Sequence, residues 1–517
     1  MSPLHKPGTS WDSVYGRCRS AAPEAFGADR VHNHWGGRWH ADGVPRPAFS
    51  PVDGREIAGP PMLDAATAER AVAAAADAHE SWRRRPLRER RSKVRATLAS
   101  WREHRDLLAL LLVWEIGKPW RLACQDVDRA ISGVEWYLDE VEDMLAGREA
   151  LPGPVSNIAS WNYPMSVLAH AMCVQALAGN AVIAKTPTDG GLCCLTLAVA
   201  LAVREGLPLT LLSGGGRELS PVLVRSPRIG CVSFVGGRDA GGQVATALAD
   251  LGKRHILEQE GLNCWGVWEF SDWETFGAQV RATFDYAKQR CTAYPRFVVQ
   301  RCLFDRFLAA YLPAVTSVRF GDPLAVERPG DDYPDLDFGP LISAAKAKDL
   351  AGLVDDAVAK GAIPLYRGTL DQGRFPTGGD TDAYLAPVTL LEPPRASPLF
   401  HAEPFGPVDT IVLVDTEAEL LAAMNASNGA LVGTVSCDEE STAIRLAAQV
   451  RAFKVGVNRP RSRGDRAELF GGWGGSWRGA FVGGRLLVHA VTVGPPDERL
   501  PGNFPDYTLR PAGLAVG

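Results

Sequence analysis

The feature that most constrains this chain is an alternation between residues 155 and 266. Apolar runs of strand length, "VSNIAS", "AVIAK", "LTLLSG", "CVSFVGG" and "HILEQ", are separated by the helix-like stretches "MSVLAHAMCVQALAG", "LCCLTLAVALAVREG", "LSPVLVRS" and "GGQVATALADLG". Connections of that length join strands by crossovers, which makes the strands parallel, and a parallel sheet needs helices on both faces. The predicted class is therefore α/β, with a doubly wound sheet. Ligands of such sheets sit beyond the carboxyl ends of the strands, and here those ends carry "SWNYP", "KTPTDGG", "SGGG" and "FVGGRDAGG". No G-x-G-x-x-G follows any of the strands. Glycines 236, 237, 241 and 242 either let a pyrophosphate approach the start of a helix or simply make a tight strand-to-helix turn.

The rest of the chain is read around that core. A length of 517 residues exceeds one hydrophobic core and implies two to four domains, while 46% apolar and 22% charged residues are an ordinary globular balance. The net charge of −5, without long blocks of either sign, excludes a phosphate-reading surface and a polybasic membrane patch, so the expected partner is a small molecule and neither nucleic acid nor membrane. Ten cysteines show no repeated C-x-x-C spacing, which speaks against a zinc cage or a disulfide framework and for a reducing cytoplasm. The N-terminal stretch has no apolar core of signal-peptide length, and "DLLALLLVWEIGK" is too short to span a bilayer. Upstream of the alternation, "FSPVDGREIAGPP" reads as a strand-turn-strand, Asp64 to Leu111 as two or three helices broken at Pro86, and "DVDRAISGVEWYLDEVEDML" as a further helix.

Single residues stay ambiguous at this level. Cys291 lies in "FDYAKQRCTAYPRFVV", and a lone cysteine is more often a small buried apolar side chain than a nucleophile. Lys185 ends "AVIAK", where a lysine commonly snorkels to water; Asn162 fits a plain turn; Glu258 fits a surface residue at a strand end.

Taken in order, these pieces resemble one family, the aldehyde dehydrogenases, from about residue 35 to 492. "SWNYP" is similar to the family's P-W-N-F-P segment, "AVIAKTP" to its coenzyme-ribose strand, "FVGGRDAGG" to F-T-G-S-T-x-x-G and "ILEQEG" to L-E-L-G-G. "QRCTA" resembles the G-Q-x-C-x-A nucleophile motif, "EPFGPV" resembles E-I-F-G-P-V, and "LFGGWGGSWRG" resembles P-F-G-G-x-K-x-S-G.

The resemblance implies a Rossmann-like coenzyme domain, a second α/β catalytic domain, and oxidation of an aldehyde to a carboxylic acid with NADP or NAD. Cys291 would be the nucleophile that turns the carbonyl into a thiohemiacetal, since hydride leaves an alkoxide readily and a planar aldehyde poorly. A free thiol is only a few per cent ionised near neutral pH and needs a base or a positive charge beside it; Lys288 and Arg290 are the candidates nearby in sequence. Asn162 would donate to the oxyanion, and Glu258 would deprotonate the water that hydrolyses the thioester, its pKa raised by an apolar pocket. The coenzyme set implied is Ile158, Ala159, Trp161, Lys185, Thr188, Phe234, Gly236, Gly237, Glu403 and Phe405, with no metal. His170 falls where the family often has an aromatic side chain lining the aldehyde tunnel; as a lone histidine it is more often satisfied within its helix.

Departures from the family pattern sharpen the expectations. Thr188 replaces an acidic residue that would repel a 2′-phosphate, so NADP is accommodated beside Lys185. Gly237, Arg238, Glu260 and Lys288 stand where the family has Ser, Thr, Gly and Gly. Two alternatives stay open: an acyl-CoA-forming or acyl-CoA-reducing relative, which would also use Cys291 but usually lacks the base at Glu258, and a drifted scaffold, for which Glu260, Gly237 and Lys288 speak and against which Cys291, Glu258, Asn162, Lys185 and Glu403 together speak. The family's projecting hairpin arm is reduced to "AGREALPGP". Domains are expected at 1–135 (N-terminal segment and helices), 136–152 (shortened arm), 153–262 (coenzyme core), 263–460 (catalytic) and 461–517 (return to the coenzyme domain, an oligomerisation strand "RLLVHAVTV" and a Pro-rich tail along a surface). With the arm lost, a homodimer is expected through the helix "GGQVATALADLG".

Overall fold

The computed structural model describes residues 3–427 and 429–511. All five core strands form, and side by side they run Arg254–Gln259, Cys231–Gly236, Val155–Ile158, Val182–Lys185, Leu209–Leu212, every pair parallel. Val182–Lys185 and Leu209–Leu212 are buried at all four positions each, the continuous apolar run that a sheet covered on both faces requires. The winding reverses at Val155–Ile158, and the crevice of such a switch point opens beyond the strand ends. Ile158, Ala159 and Gly236 therefore stand at its rim.

Antiparallel strands too short to show a sequence period extend this sheet to ten. Asn33–Trp35 and Arg38–His40 flank Leu209–Leu212, while Trp477–Ala480 flanks Arg254–Gln259. A second sheet of seven strands runs Ile363–Arg367, Val388–Leu391, Val408–Val414, Arg296–Gln300, Cys264–Val267, Val432–Ser436, Lys454–Val457, parallel throughout except for the first. Its core is aromatic. Trp265 meets Phe276 at 5.0 Å and Phe307 meets Tyr311 at 5.2 Å between ring centroids, the close offset and edge contacts that rings prefer.

The helical pattern upstream resolves into Ala65–Trp82, Leu87–Glu103, Arg105–Ile116 and Trp120–Met144. Asp64 starts the first by accepting the Thr67 N–H at 2.8 Å, and Pro86 precedes the second. Arg105–Ile116 is buried almost all round, and Glu115 near its end is buried with it. That carboxylate accepts the N–H groups of Cys193 and Cys194 at 2.7 and 2.9 Å, satisfying donors that the start of helix Leu192–Arg204 leaves orphaned. Burial outweighs these bonds and pushes the Glu115 carboxyl up to about 7.

One expectation about the C-terminal part is corrected. "RLLVHAVTV" is mostly helical, Arg485–Ala490, because Leu486, Leu487, Val488 and Ala490 are buried at helical spacing against Trp120–Met144 and its neighbours; only Thr492–Val493 is extended. That two-residue strand pairs antiparallel with Glu149–Ala150, in the segment expected to be a shortened arm. The Pro-rich tail, exposed or half-buried over most of its length, lies along the edge of the large sheet. Gly502–Asn503 and Thr508–Leu509 form a hairpin that continues the ten-stranded sheet beyond Trp477–Ala480.

Candidate active site

The loop carrying Cys291 is the most strained part of the backbone. Tyr286, Ala287 and Lys288 are three successive non-glycine residues with φ of 60°, 52° and 55°. Left-handed backbone costs about 1–2 kcal/mol per such residue, so the surroundings must over-determine it. They do. The Tyr286 N–H donates to Asp337 O at 2.9 Å and its hydroxyl to Ile116 O at 3.1 Å. Gln289 Nε2 donates to Pro340 O at 3.1 Å, and Gln289 Oε1 accepts the Ile342 N–H at 3.0 Å. Lys288 Nζ, wholly buried, lies 2.9 Å from Asp409 Oδ1 and donates to Thr283 Oγ1 at 2.8 Å and Tyr294 O at 3.0 Å.

These bonds correct the expectation that Lys288 and Arg290 supply charge at the thiol. Lys288 is committed to Asp409, and Arg290 Nη2 donates to the carbonyl of Thr283 at 3.0 Å. The sequence reading also missed Asn263. Its Nδ2 donates to Cys291 O at 2.8 Å and Ala293 O at 2.7 Å, while its Oδ1 accepts the N–H groups of Leu431 and Val432, both at 3.1 Å. No motif flagged it; its place two residues after the strand-end pair Glu260-Gly261 is the only signal the sequence offers.

The three residues expected to do chemistry come together. Asn162, at the turn after Val155–Ile158, is buried and donates Nδ2 to Gln289 O at 3.0 Å, which leaves its second amide hydrogen free. Glu258, near the end of Arg254–Gln259, one strand beyond Cys231–Gly236, is 3% exposed, and its charge acts on the Cys291 thiol. Its wall is ionic where an apolar pocket was expected: Arg463 Nη2 stands 3.0 Å from Glu258 Oε2. The guanidinium lies 4.5 Å over the Phe470 ring and is 41% exposed, so it reaches inward from the mouth of the site. Burial, then the charge on Glu258, pushes the Cys291 thiol well above its ordinary range, and Arg463 opposes that shift.

The expected coenzyme residues line the crevice. Ile158, Ala159 and Trp161 are half-buried at its rim, Phe234 is buried, and Gly236 has the Phe234 ring where a Cβ would come within 2.7 Å. Gly237 faces open space, its nearest neighbour in the Cβ direction being Glu260 Oε2 at 3.8 Å. Arg238 and Glu260, two of the departures, face each other at 3.7 Å. Lys185 is buried instead of snorkelling, donates to Thr186 O at 2.9 Å, and is pushed down to about 8 by desolvation, with the charge of Arg46 adding to it. Arg46 was not foreseen; it reaches Asp189 at 3.9 Å, beside the exposed Thr188. Phe405, at φ 51°, meets Trp161 edge-on at 5.8 Å. Glu403 Oε1 is shut off from solvent without a hydrogen-bond partner, and burial followed by the charge of Glu260 holds this carboxyl well above the usual range. An orphaned buried acceptor beside an aromatic wall fits a ribose hydroxyl, so the residues present suit a nicotinamide coenzyme.

A parallel sheet with a rim shaped for a dinucleotide, and a cysteine, an asparagine and a glutamate assembled beside it, define the class of NAD(P)-dependent aldehyde dehydrogenases. The chain belongs to that family: residues 40–493 match the sequence profile of the Aldehyde dehydrogenase family. It is 29% identical over 458 residues to the 3,6-anhydro-alpha-L-galactose dehydrogenase of Streptomyces coelicolor, covering 85% of this chain and 89% of the other. It is 28% identical over 456 residues to the lactaldehyde dehydrogenase of Escherichia coli, covering 83% and 89%. The structure of an NADP-dependent glyceraldehyde-3-phosphate dehydrogenase from Bacillus halodurans, complexed with NADP, superposes with a TM-score of 0.81 at 25% identity over 90% of this chain and 98% of that one.

The strained loop generates a stability prediction. Breaking a buried ion pair by removing one partner costs about 3–5 kcal/mol, whereas relieving one left-handed residue returns about 1–2 kcal/mol. Lys288→Gly should therefore remain destabilised despite its relaxed backbone, and Lys288→Met more so. Urea unfolding followed by Trp fluorescence reads both; a Gly variant as stable as the wild type would show that Asp409 does not hold the loop.

Proposed function

We propose that this protein oxidises an aldehyde to a carboxylic acid with NADP or NAD through a thiohemiacetal and then a thioester on Cys291. The observation that carries the reading is Asn162 held to the Cys291 loop by its 3.0 Å bond to Gln289 O, with the buried Glu258 carboxylate close enough for its charge to act on the Cys291 thiol. Glu258 accepts the thiol proton as Sγ bonds to the carbonyl carbon, and the carbonyl oxygen becomes an oxyanion. The second Nδ2 hydrogen of Asn162 and the Cys291 N–H donate to that oxyanion; one such donor is typically worth about 100-fold to 1000-fold in rate. The bound nicotinamide coenzyme supplies the hydride acceptor. Lys185, Thr188, Gly236, Gly237 and Glu403 would hold it, with Trp161 and Phe405 walling one side and Ile158, Ala159 and Phe234 forming the floor. Glu258 passes the thiol proton to solvent and, ionised again, takes a proton from the water that hydrolyses the thioester, leaving the acid and the Cys291 thiolate to be reprotonated. A buried base in place speaks for release of the acid over transfer to CoA.

We read residues 153–262 as the coenzyme core and 263–460 as the catalytic domain, the second seven-stranded sheet lying within the latter. The similar proteins act on unlike aldehydes, so none of their substrates is carried over. All ten cysteines are unpaired, which fits a cytoplasmic setting, and among the described residues no helix is long and apolar enough to cross a membrane.

Cys291→Ala should abolish coenzyme reduction with every aldehyde, while Glu258→Gln should give at most one acylation burst without turnover; sustained turnover in the Cys291 variant sinks the reading. Lys185 and Arg46 both present positive charge near Thr188, so NADP should bind within about 100-fold of NAD, a difference under about 2.7 kcal/mol. Titration of Trp fluorescence with each coenzyme decides this, and a larger penalty for NADP refutes it. Because the segment expected to be a shortened arm pairs through only two residue pairs, the assembly should be a homodimer. Light scattering should give close to twice the 55.6 kDa chain, and a stable tetramer contradicts the proposal.

A further inference from the structure

The surroundings of Arg463 are polar and cationic where the resemblance leads one to expect an aromatic lining. His170 stands there, its ring edge-on to Tyr137 at 5.6 Å. Helix Trp120–Met144 makes room for it with Gly133, since a Cβ at that position would come within 2.8 Å of the imidazole. Among the described residues neither ring nitrogen of His170 has a hydrogen-bond partner. The Tyr137 hydroxyl donates to Gly484 O at 2.8 Å and the Gly484 N–H donates to Arg466 O at 3.1 Å, which anchors the segment 459–468 next to Tyr137.

That segment, "RPRSRGDRAE", holds four arginines against two carboxylates. Arg461 is committed to Glu468 at 2.8 Å, which also binds Lys454 at 2.7 Å. Arg463 reaches inward to Glu258, and the exposed side chain of Arg466 has no ion-pair or hydrogen-bond partner among the described residues. Both charges are felt at His170, where burial, then Arg463 and Arg466, hold the imidazole down to about 4; it is neutral near pH 7 and offers one donor and one acceptor. A hydrocarbon chain laid here would leave His170 and the guanidinium groups desolvated without partners, which is costly. An anion arriving from the mouth meets planar donors suited to it.

We propose that the aldehyde substrate carries an anionic group, a carboxylate, sulfonate or phosphate, remote from its carbonyl, and that Arg463 and Arg466 bind that group while His170 donates to it. The proposal rests on Cys291 being the nucleophile. It also couples binding to chemistry: an anion that takes Arg463 releases Glu258 from its ion pair beside the thiol.

The test separates binding from turnover. In full-length Cys291→Ala protein, calorimetry with butanedioate and with butanediamide should favour the dianion by about tenfold or more, as charge-assisted bidentate bonds do over neutral ones. Arg466→Gln, which disturbs no contact, should cut that preference about threefold, and Arg463→Gln with Arg466→Gln should remove it. Equal affinities, or a preference that survives the double substitution, overturn the proposal. In the wild type, kcat/KM for 4-oxobutanoate should exceed that for its methyl ester by a similar factor; parity also overturns it. If neither aldehyde reduces the coenzyme, the reading of the function fails, while the calorimetry still decides whether the anion site exists.

Discussion

The site depends on one buried amide. Asn263 follows the last of the five parallel core strands and precedes the first strand of the second sheet, and it spends all four of its hydrogen bonds on backbone. Two go to the Cys291 loop on either side of Thr292, and two go to the residues entering Val432–Ser436. The loop is thereby fixed to the same point from which both sheets are strung. A strained left-handed run at residues 286–288 persists only because such bonds, together with the Lys288–Asp409 pair, leave it no alternative. Strain of this kind is what aims a short side chain such as Cys291 out of a core and toward a neighbouring strand end.

Charge at the site is balanced at close quarters. Glu258, Glu260 and Glu403 face one another across a small volume, and each has a cation within reach: Arg463, Arg238 and, acting on Glu403 through its field, Lys346. Without them, three carboxylates in a desolvated space would repel one another and suppress thiolate formation at Cys291 further. The departures from the family pattern are thus linked. Glu260 adds a negative charge near the phosphate turn and Arg238 answers it; Arg463 answers Glu258 from a loop that shares no motif with it.

The legible and illegible parts of the sequence divide along physical lines. The core strands, their order of appearance and the helices between them follow from apolar periodicity, which is a local property. Cys291, Asn162, Glu258, Lys185 and Glu403 were legible through ordered motifs, and each now lies where strand ends or the Cys291 loop converge. Asn263, Arg46 and Arg463 were not, because their partners are distant in sequence and only the fold brings them near. "RLLVHAVTV" misled for a related reason: its β-branched and leucine residues suit a strand, but the buried set is at helical spacing once the segment packs on Trp120–Met144.

The edge of the ten-stranded sheet beyond Arg254–Gln259 is covered by the chain's own C-terminal part. A strand edge left unpaired is a template for another chain, and Trp477–Ala480 would present one beside the buried Glu258 strand. The tail closes it from within the same chain, with Gly502–Asn503 and Thr508–Leu509 adding two short antiparallel strands and Asn503 Nδ2 donating to Trp477 O at 2.7 Å. Arg148 then ties the segment leading into Glu149–Ala150 to the root of the tail through Glu498 Oε2 at 2.8 Å and Thr492 Oγ1 at 2.8 Å. The edge next to the Glu258 strand is therefore covered within one chain.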